Sequence, residues 1–165
     1  MAATVEICES NGAEETITHN ISHTNMGSTD AANLTAVSYP ITPGTRSYIK
    51  YQRLHVTNMG GASSVKNIKV WRPGALSGSD THVTNARTSG YTQLTYATPV
   101  NTAVTGVDQN MPTTEPGSAN LGIGGSLSGE LTAVGYSDYL GHQLVVDSAT
   151  TAGASLTGSN GLNFK

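Results

Sequence analysis

Histidine, cysteine and acidic side chains are the residues of this chain that could hold a metal ion. His19 and His23 stand four positions apart, a spacing that brings two imidazoles together on one face of a helix. Here the two histidines straddle the end of a predicted strand, and no acid or cysteine stands near them at ligand spacing. The favoured interpretation is a pair of surface histidines, with a metal site as the open alternative. The sequence therefore predicts no metal and no cofactor.

Other residue types that could carry catalysis lack the spacing that catalysis needs. The chain has no Gly-x-Ser-x-Gly elbow and no carboxylate pair in a context that indicates burial. The glycines around Gly122 lack a following Lys-Ser/Thr and a helix start, so they predict a backbone bend rather than a phosphate site. Cys8 is interpreted as a small hydrophobic residue, and Asp138 as the cap of a turn. These patterns predict a protein that is not an enzyme.

Basic residues are concentrated in one stretch. Six of the eight Lys and Arg residues lie between positions 46 and 72, where no Asp or Glu occurs, although the formal net charge is -3. Such a stretch can be simply a solvated strand face protected against aggregation. It can also be a docking face for an acidic partner surface.

The elements expected to position these charges are two strands of a hairpin. Residues 48–57 and 65–71 are rich in β-branched and aromatic residues and flank a Gly-Gly connection, which favours a hairpin. Alternation assigns Leu54, Val56, Ile68 and Val70 to the core. The opposite, exposed face then carries the predicted partner-binding residues, with Asn67 beside them: Tyr51, Arg53, His55, Lys69 and Trp71. A register slip of one residue would exchange the two faces.

The remaining pattern predicts an all-β fold. Thr, Val, Gly and Asn are abundant and helical periodicity is missing. Further strands are expected at residues 4–8, 16–21, 91–97, 140–147 and 156–164, and long polar loops at 75–90 and 99–120. This is the pattern of an antiparallel β-sandwich, with a jelly roll as one version of it. The 165 residues are expected to form a single domain, residues 1–165.

Composition and sequence pattern limit the cellular compartments and the kinds of partner expected for the protein. A lone cysteine excludes an intrachain disulfide, and the first residues lack the pattern of a secretory signal. No apolar run approaches the roughly 20 residues that span a bilayer, so no membrane partner is expected. Tyr51 and Trp71 among basic residues are an argument for nucleic-acid binding. The net negative charge and the small number of basic residues argue against it, so no nucleic-acid partner is expected.

Several phrases of the chain resemble small β-rich structural proteins of tailed bacteriophage particles. They are residues 25–30 (Asn-Met-Gly-Ser-Thr-Asp), 51–57 (Tyr-Gln-Arg-Leu-His-Val-Thr), 67–71 (Asn-Ile-Lys-Val-Trp) and 120–127 (Asn-Leu-Gly-Ile-Gly-Gly-Ser-Leu). The resemblance implies a virion component made in the host cytoplasm, with a capsid decoration (cement) protein as the first choice and a tail or collar component as another. Its expected partners are the major capsid protein or other virion subunits, and it would form a homo-oligomer on the particle.

A second class of function stays open beside the structural one. β-Sandwiches host sugar sites, and Trp71, Tyr91, Tyr96, Tyr136 or Tyr139 could stack on a sugar ring. A carbohydrate-binding or adhesive module is therefore the alternative expectation, although fold alone carries little argument for it.

Overall fold

A computed structural model of the chain describes residues 1–76, 78–151 and 162–165. The described residues are almost entirely strands and connecting segments, with one 3-10 turn at Ala36–Ser38. The strands are β1 Thr4–Asn11, β2 Thr16–Thr18, β3 Lys50–Asn58, β4 Val65–Lys66, β5 Val70–Trp71, β6 Thr81–Thr84, β7 Gln109–Asn110, β8 Glu130–Leu131, β9 Gly135–Tyr136, β10 Leu140–Val145 and β11 Asn163–Phe164. Among these residues no helix has the length and apolar character needed to cross a bilayer.

The main sheet is built around β3. Its seven strands follow the order β2-β1-β3-β10-β6-β7, and β9 pairs with the last part of β3. Two small sheets, β11-β5 and β4-β8, complete the fold. Every pairing between these strands is antiparallel. The predicted all-β, antiparallel, sandwich-like class is therefore confirmed.

Each face of the main sheet carries its own apolar cluster. Because directly paired residues project to the same side, Glu9, Gln52 and Leu140 share one face. Leu140 belongs to a buried cluster with Ile68, Val70, Ala86, Met111, Leu121 and Ile123. Tyr51 projects from the opposite face, where it packs with Ile49, Val83, Val107 and Tyr139. We call these the Leu140 face and the Tyr51 face.

The predicted hairpin between residues 48–57 and 65–71 is wrong. β1 hydrogen-bonds along one side of β3, and β10 and β9 occupy the other side, so neither edge is left for the second run. That run is also interrupted, because Asn67 has a left-handed φ of 60°. Residues 70–71 pair instead with β11. The core assignment of the apolar residues is right, since Leu54, Val56, Ile68 and Val70 are buried.

The structure confirms some of the other predicted strands and loops and contradicts others. Strands at 4–8, 16–21 and 140–147 correspond to β1, β2 and β10. Residues 91–97 were expected to form a strand and do not, and the expected loop at 75–90 contains β6. Most of the predicted strand at 156–164 lies outside the described residues, and its last two positions form β11.

Candidate functional site

The five predicted contact residues lie in separate places. Arg53 and His55 project from the Tyr51 face, because both are odd-numbered positions of β3. Lys69 and Trp71 belong to the segment whose buried neighbours, Ile68 and Val70, pack against the Leu140 face. The main sheet therefore lies between the two pairs, and they do not form one continuous face.

Tyr51 was predicted to be exposed, and that prediction is wrong. Only 2% of the residue is accessible to solvent. Its ring makes edge contacts with Tyr96 and Tyr139, at centroid distances of 5.0 and 5.8 Å. The two-residue period of β3 was assigned correctly, but this end of the strand is covered on both faces.

Most of the basic side chains are paired inside the protein. Lys50 is buried and binds Glu9 at 2.7 Å, and Lys69 lies 3.1 Å from Glu115. Arg53 lies 3.7 Å from a carboxylate oxygen of Glu15. The fold thus brings acidic residues from other parts of the sequence next to the basic stretch. They neutralise most of its positive charge locally.

A cluster of four potential metal ligands lies on the Tyr51 face. It consists of Glu6, Cys8, His19 and His55, and the four ligand atoms are all within 4.8 Å of one another. We call it the Cys8 cluster.

The strand pairing explains how the cluster assembles. Glu6 and Cys8 are two apart on β1 and share a face, and Glu6 is directly opposite His55 of β3. β2 returns antiparallel to β1 and ends at Thr18, which places His19 beside Cys8.

Hydrogen-bonding distances link the members of the Cys8 cluster. An oxygen of Glu6 lies 2.7 Å from Nδ1 of His19 and 2.7 Å from Nδ1 of His55. The Cys8 sulfur lies 3.2 Å from Nδ1 of His19 and 3.5 Å from the same Glu6 oxygen. Cys8 is 2% exposed, whereas the His19 side chain is 49% exposed. The cluster is thus buried at its sulfur and open to solvent at one imidazole.

Two pKa values in the cluster depart from their ordinary range. Hydrogen bonds from His55 and His19 lower the pKa of the Glu6 carboxyl. Burial, followed by the hydrogen bond to Glu6, raises the pKa of the Cys8 thiol to about 11. Because a reactive cysteine needs a thiolate at neutral pH, the arrangement does not suit nucleophilic catalysis by Cys8.

Arg53 and two tyrosines form a stack beside the Cys8 cluster. The guanidinium carbon of Arg53 lies 4.4 Å from the ring centre of Tyr136 and 4.2 Å from that of Tyr139. The His55 ring is stacked on Tyr136 at 4.1 Å and 10°. Cation–π and stacking contacts of this kind restrain the Arg53 and His55 side chains. We call Arg53, Tyr136, Tyr139 and the His55 ring the Arg53 stack. Of the predicted contact residues, it contains Arg53 and His55.

The glycine-rich segment binds a carboxylate of its own chain. The amide of Gly125 donates to Asp138, at 3.0 Å to the nearer oxygen. Tyr91 and Gln93 donate to the same carboxylate, which is buried. This agrees with the prediction of a bend, whereas Asp138 does not cap a turn of its own segment but binds residues 13 or more positions away.

Sequence reasoning missed the Cys8 cluster although one of its signals was visible. Glu6 and Cys8 alternate with apolar residues, so a shared face could be read directly. The contribution of His19 depends on the pairing of β1 with β2, and that of His55 on the pairing of β1 with β3. The hairpin prediction gave β3 a different partner. His23, the other half of the predicted surface pair, is exposed and is not a member of the cluster.

Comparison with known proteins finds no matching family model, no similar curated protein and no similar solved structure. What the protein does is therefore inferred from its own residues and their arrangement.

Proposed function

We propose that the protein is a non-enzymatic structural component of a tailed phage particle. Capsid decoration is the role we favour over a tail or collar component. The observation that supports this most is the Arg53 stack on a sheet hydrogen-bonded along both sides of β3. Arg and Tyr side chains carry a disproportionate share of the binding energy in protein interfaces. A stack that is ordered before binding loses little conformational entropy when a partner covers it.

The proposed contacts differ from a single basic docking face. Arg53 and His55 offer one contact area, and Lys69 with Trp71 offers another across the sheet. A decoration protein that bridges neighbouring shell subunits needs contacts in more than one direction, and this arrangement supplies two. Because Lys69 and Arg53 already have acidic neighbours, packing and hydrogen bonding would contribute more to binding than net charge does.

Copy number per particle is the measurement that tests the proposal. Particles purified from the source of the sequence would be analysed by quantitative mass spectrometry against the major shell protein. Hundreds of copies per particle support decoration, and a few to some tens support a tail, collar or fibre component. A chain that never co-sediments with particles refutes the virion role.

An Arg53→Gln variant tests the contact area. It removes the charge and the cation–π contacts while keeping much of the side-chain volume, so affinity for particles should fall about fivefold or more, as for an interface residue worth more than about 1 kcal/mol. Lys66→Gln is the matched control, because Lys66 is exposed and its one ion pair with a residue that the structure describes, Glu130, spans 3.9 Å. Equal occupancy of both variants, with unchanged melting temperatures, would exclude Arg53 as a contact residue.

The geometry favours the carbohydrate-binding alternative less. A sugar platform needs an open aromatic face, but Tyr96 and Tyr139 pack near each other and against Tyr51. Tyr136 is stacked on His55. A glycan-array signal that disappears in a Trp71→Ala variant would reverse this preference.

A further inference from the structure

We infer that Glu6, Cys8, His19 and His55 form a four-ligand site for a divalent transition-metal ion, and that zinc is the ion this donor set fits best. The inference is independent of the proposed virion role. It rests on side chains from β1, β3 and the residue after β2 that converge on one point.

The donor types select the class of ion. One sulfur, two imidazole nitrogens and one carboxylate oxygen are the ligands that zinc takes in proteins, whereas calcium and magnesium prefer oxygen alone. Loss of the Cys8 proton to solvent on binding would leave a thiolate and a carboxylate. Their two negative charges balance the two positive charges of the ion, and the histidines bind in their neutral form.

The distances between the ligand atoms bracket those around a bound ion, since the shortest are 2.7 Å and all lie within 4.8 Å. Tetrahedral zinc at about 2.0–2.3 Å from each ligand sets the ligand atoms about 3.3–3.6 Å apart. The Cys8 sulfur lies 3.2 Å from His19 and 3.5 Å from Glu6. The two contacts between Glu6 and the imidazoles are shorter, at 2.7 Å, so the carboxylate must withdraw slightly to admit the ion.

The surroundings of the cluster restrain two of its ligands. Asn20, which follows His19, adopts a left-handed φ of 49°. The His55 ring is fixed by its stack on Tyr136. The half-exposed His19 gives the ion a route from solvent.

The site would be structural rather than catalytic. Four protein ligands close a zinc ion, whereas catalytic zinc keeps one position for water or substrate. β2 is an edge strand of three residues, so a bond from His19 to an ion held by β1 and β3 would fasten that edge.

Metal titration of the full-length, tag-free chain tests the inference. The protein is stripped with a chelator, dialysed, and titrated with Co²⁺ while its absorption is recorded. A thiolate–cobalt charge-transfer band, strong tetrahedral d–d bands and saturation at one ion per chain are expected, and Zn²⁺ should displace the cobalt. The melting temperature should rise with Zn²⁺.

Variants separate a metal site from a hydrogen-bonded cluster. His19→Gln should weaken Co²⁺ binding by more than the about 10–100-fold seen for outer-shell partners, and it should still fold because His19 is half-exposed. His23→Gln is the matched control, because His23 is exposed and not a member of the cluster, and it should bind as the unaltered chain does. Absence of the charge-transfer band, or equal binding by the two variants, would overturn the inference. The cluster would then be held together by hydrogen bonds alone, those to Glu6 and the one between Cys8 and His19.

Discussion

Replacing Lys50 with methionine tests how the main sheet tolerates buried charge. Lys50 donates to a Glu9 oxygen at 2.7 Å and to the carbonyl of Ala31 at 2.6 Å. The two charged side chains are 2% and 0% exposed. Methionine retains the unbranched apolar stem of lysine, so Lys50→Met leaves the Glu9 carboxylate without its counter-charge and the Ala31 carbonyl without this donor.

The expected loss of stability follows from the distance and the burial of this pair. At 2.7 Å and an effective dielectric constant of about 20, the attraction is about 6 kcal/mol. Part of it only offsets the cost of taking both charges out of water. Breaking a buried pair by removing one partner therefore costs about 3–5 kcal/mol. For a chain of 165 residues this corresponds to a decrease of about 6–20 °C in melting temperature.

Urea denaturation at pH 7, supported by thermal melting, measures the effect. Lys66→Met is the control, because the Lys66–Glu130 pair spans 3.9 Å and its side chains are 56% and 47% exposed; its loss should cost at most about 1 kcal/mol. Adding Glu9→Gln to Lys50→Met removes the stranded charge and should restore most of the stability. A Lys50→Met loss no larger than that of the control, or no recovery in the double variant, would refute this reasoning.

Two further predictions concern stability. Burial, and after it the charge of Arg72, lowers the pKa of His82 to about 3, and burial lowers that of His142. The unfolded chain binds these protons below about pH 6.5, and the folded chain binds them only at lower pH. The free energy of unfolding should therefore be greatest above pH 6.5 and decrease as the pH falls, by about 2 kcal/mol at pH 5 for His82 and further for His142; a flat profile in denaturant titrations would contradict this. Gly129→Ala should cost about 1–3 kcal/mol, because its Cβ would clash with a backbone oxygen. Gly117→Ala, whose Cβ meets no atom of the described chain within 4 Å, should change stability by under about 0.5 kcal/mol in the same melts.

Local pattern was sufficient to predict the fold class and several strands. Alternation in residues 48–57 correctly separated Leu54 and Val56 from Arg53 and His55, because side chains of a strand alternate whatever its partners are. The glycine-rich bend was also readable, since glycines with left-handed φ values stand at Gly124 and Gly125. These features depend on neighbours in the sequence.

Long-range pairing could not be predicted in the same way. The Gly-Gly connection favoured a local hairpin, but β3 pairs with strands more than 40 positions away in each direction, as Glu6 with His55 and Gly141 with Tyr51 show. The Cys8 cluster and the neutralisation of the basic stretch both depend on those pairings. The prediction that Tyr51 is exposed was wrong for a related reason. Alternation identifies the two faces of a strand, but it does not show whether both faces are covered.

The buried polar residues explain how one register is selected for a sheet covered on both faces. Gln52 donates to Glu9 at 2.9 Å, so its oxygen must accept from Nε2 of His142, at 3.1 Å. Nδ1 of His142 then accepts from Nε2 of His82, at 2.9 Å, and both histidines are neutral. A slip of one residue would move each member to the other face and leave several buried groups without partners, at about 1–3 kcal/mol each. Apolar residues on both faces would tolerate such a slip far better. We therefore attribute the choice of register to these hydrogen-bonded side chains and to the Lys50–Glu9 pair beside them.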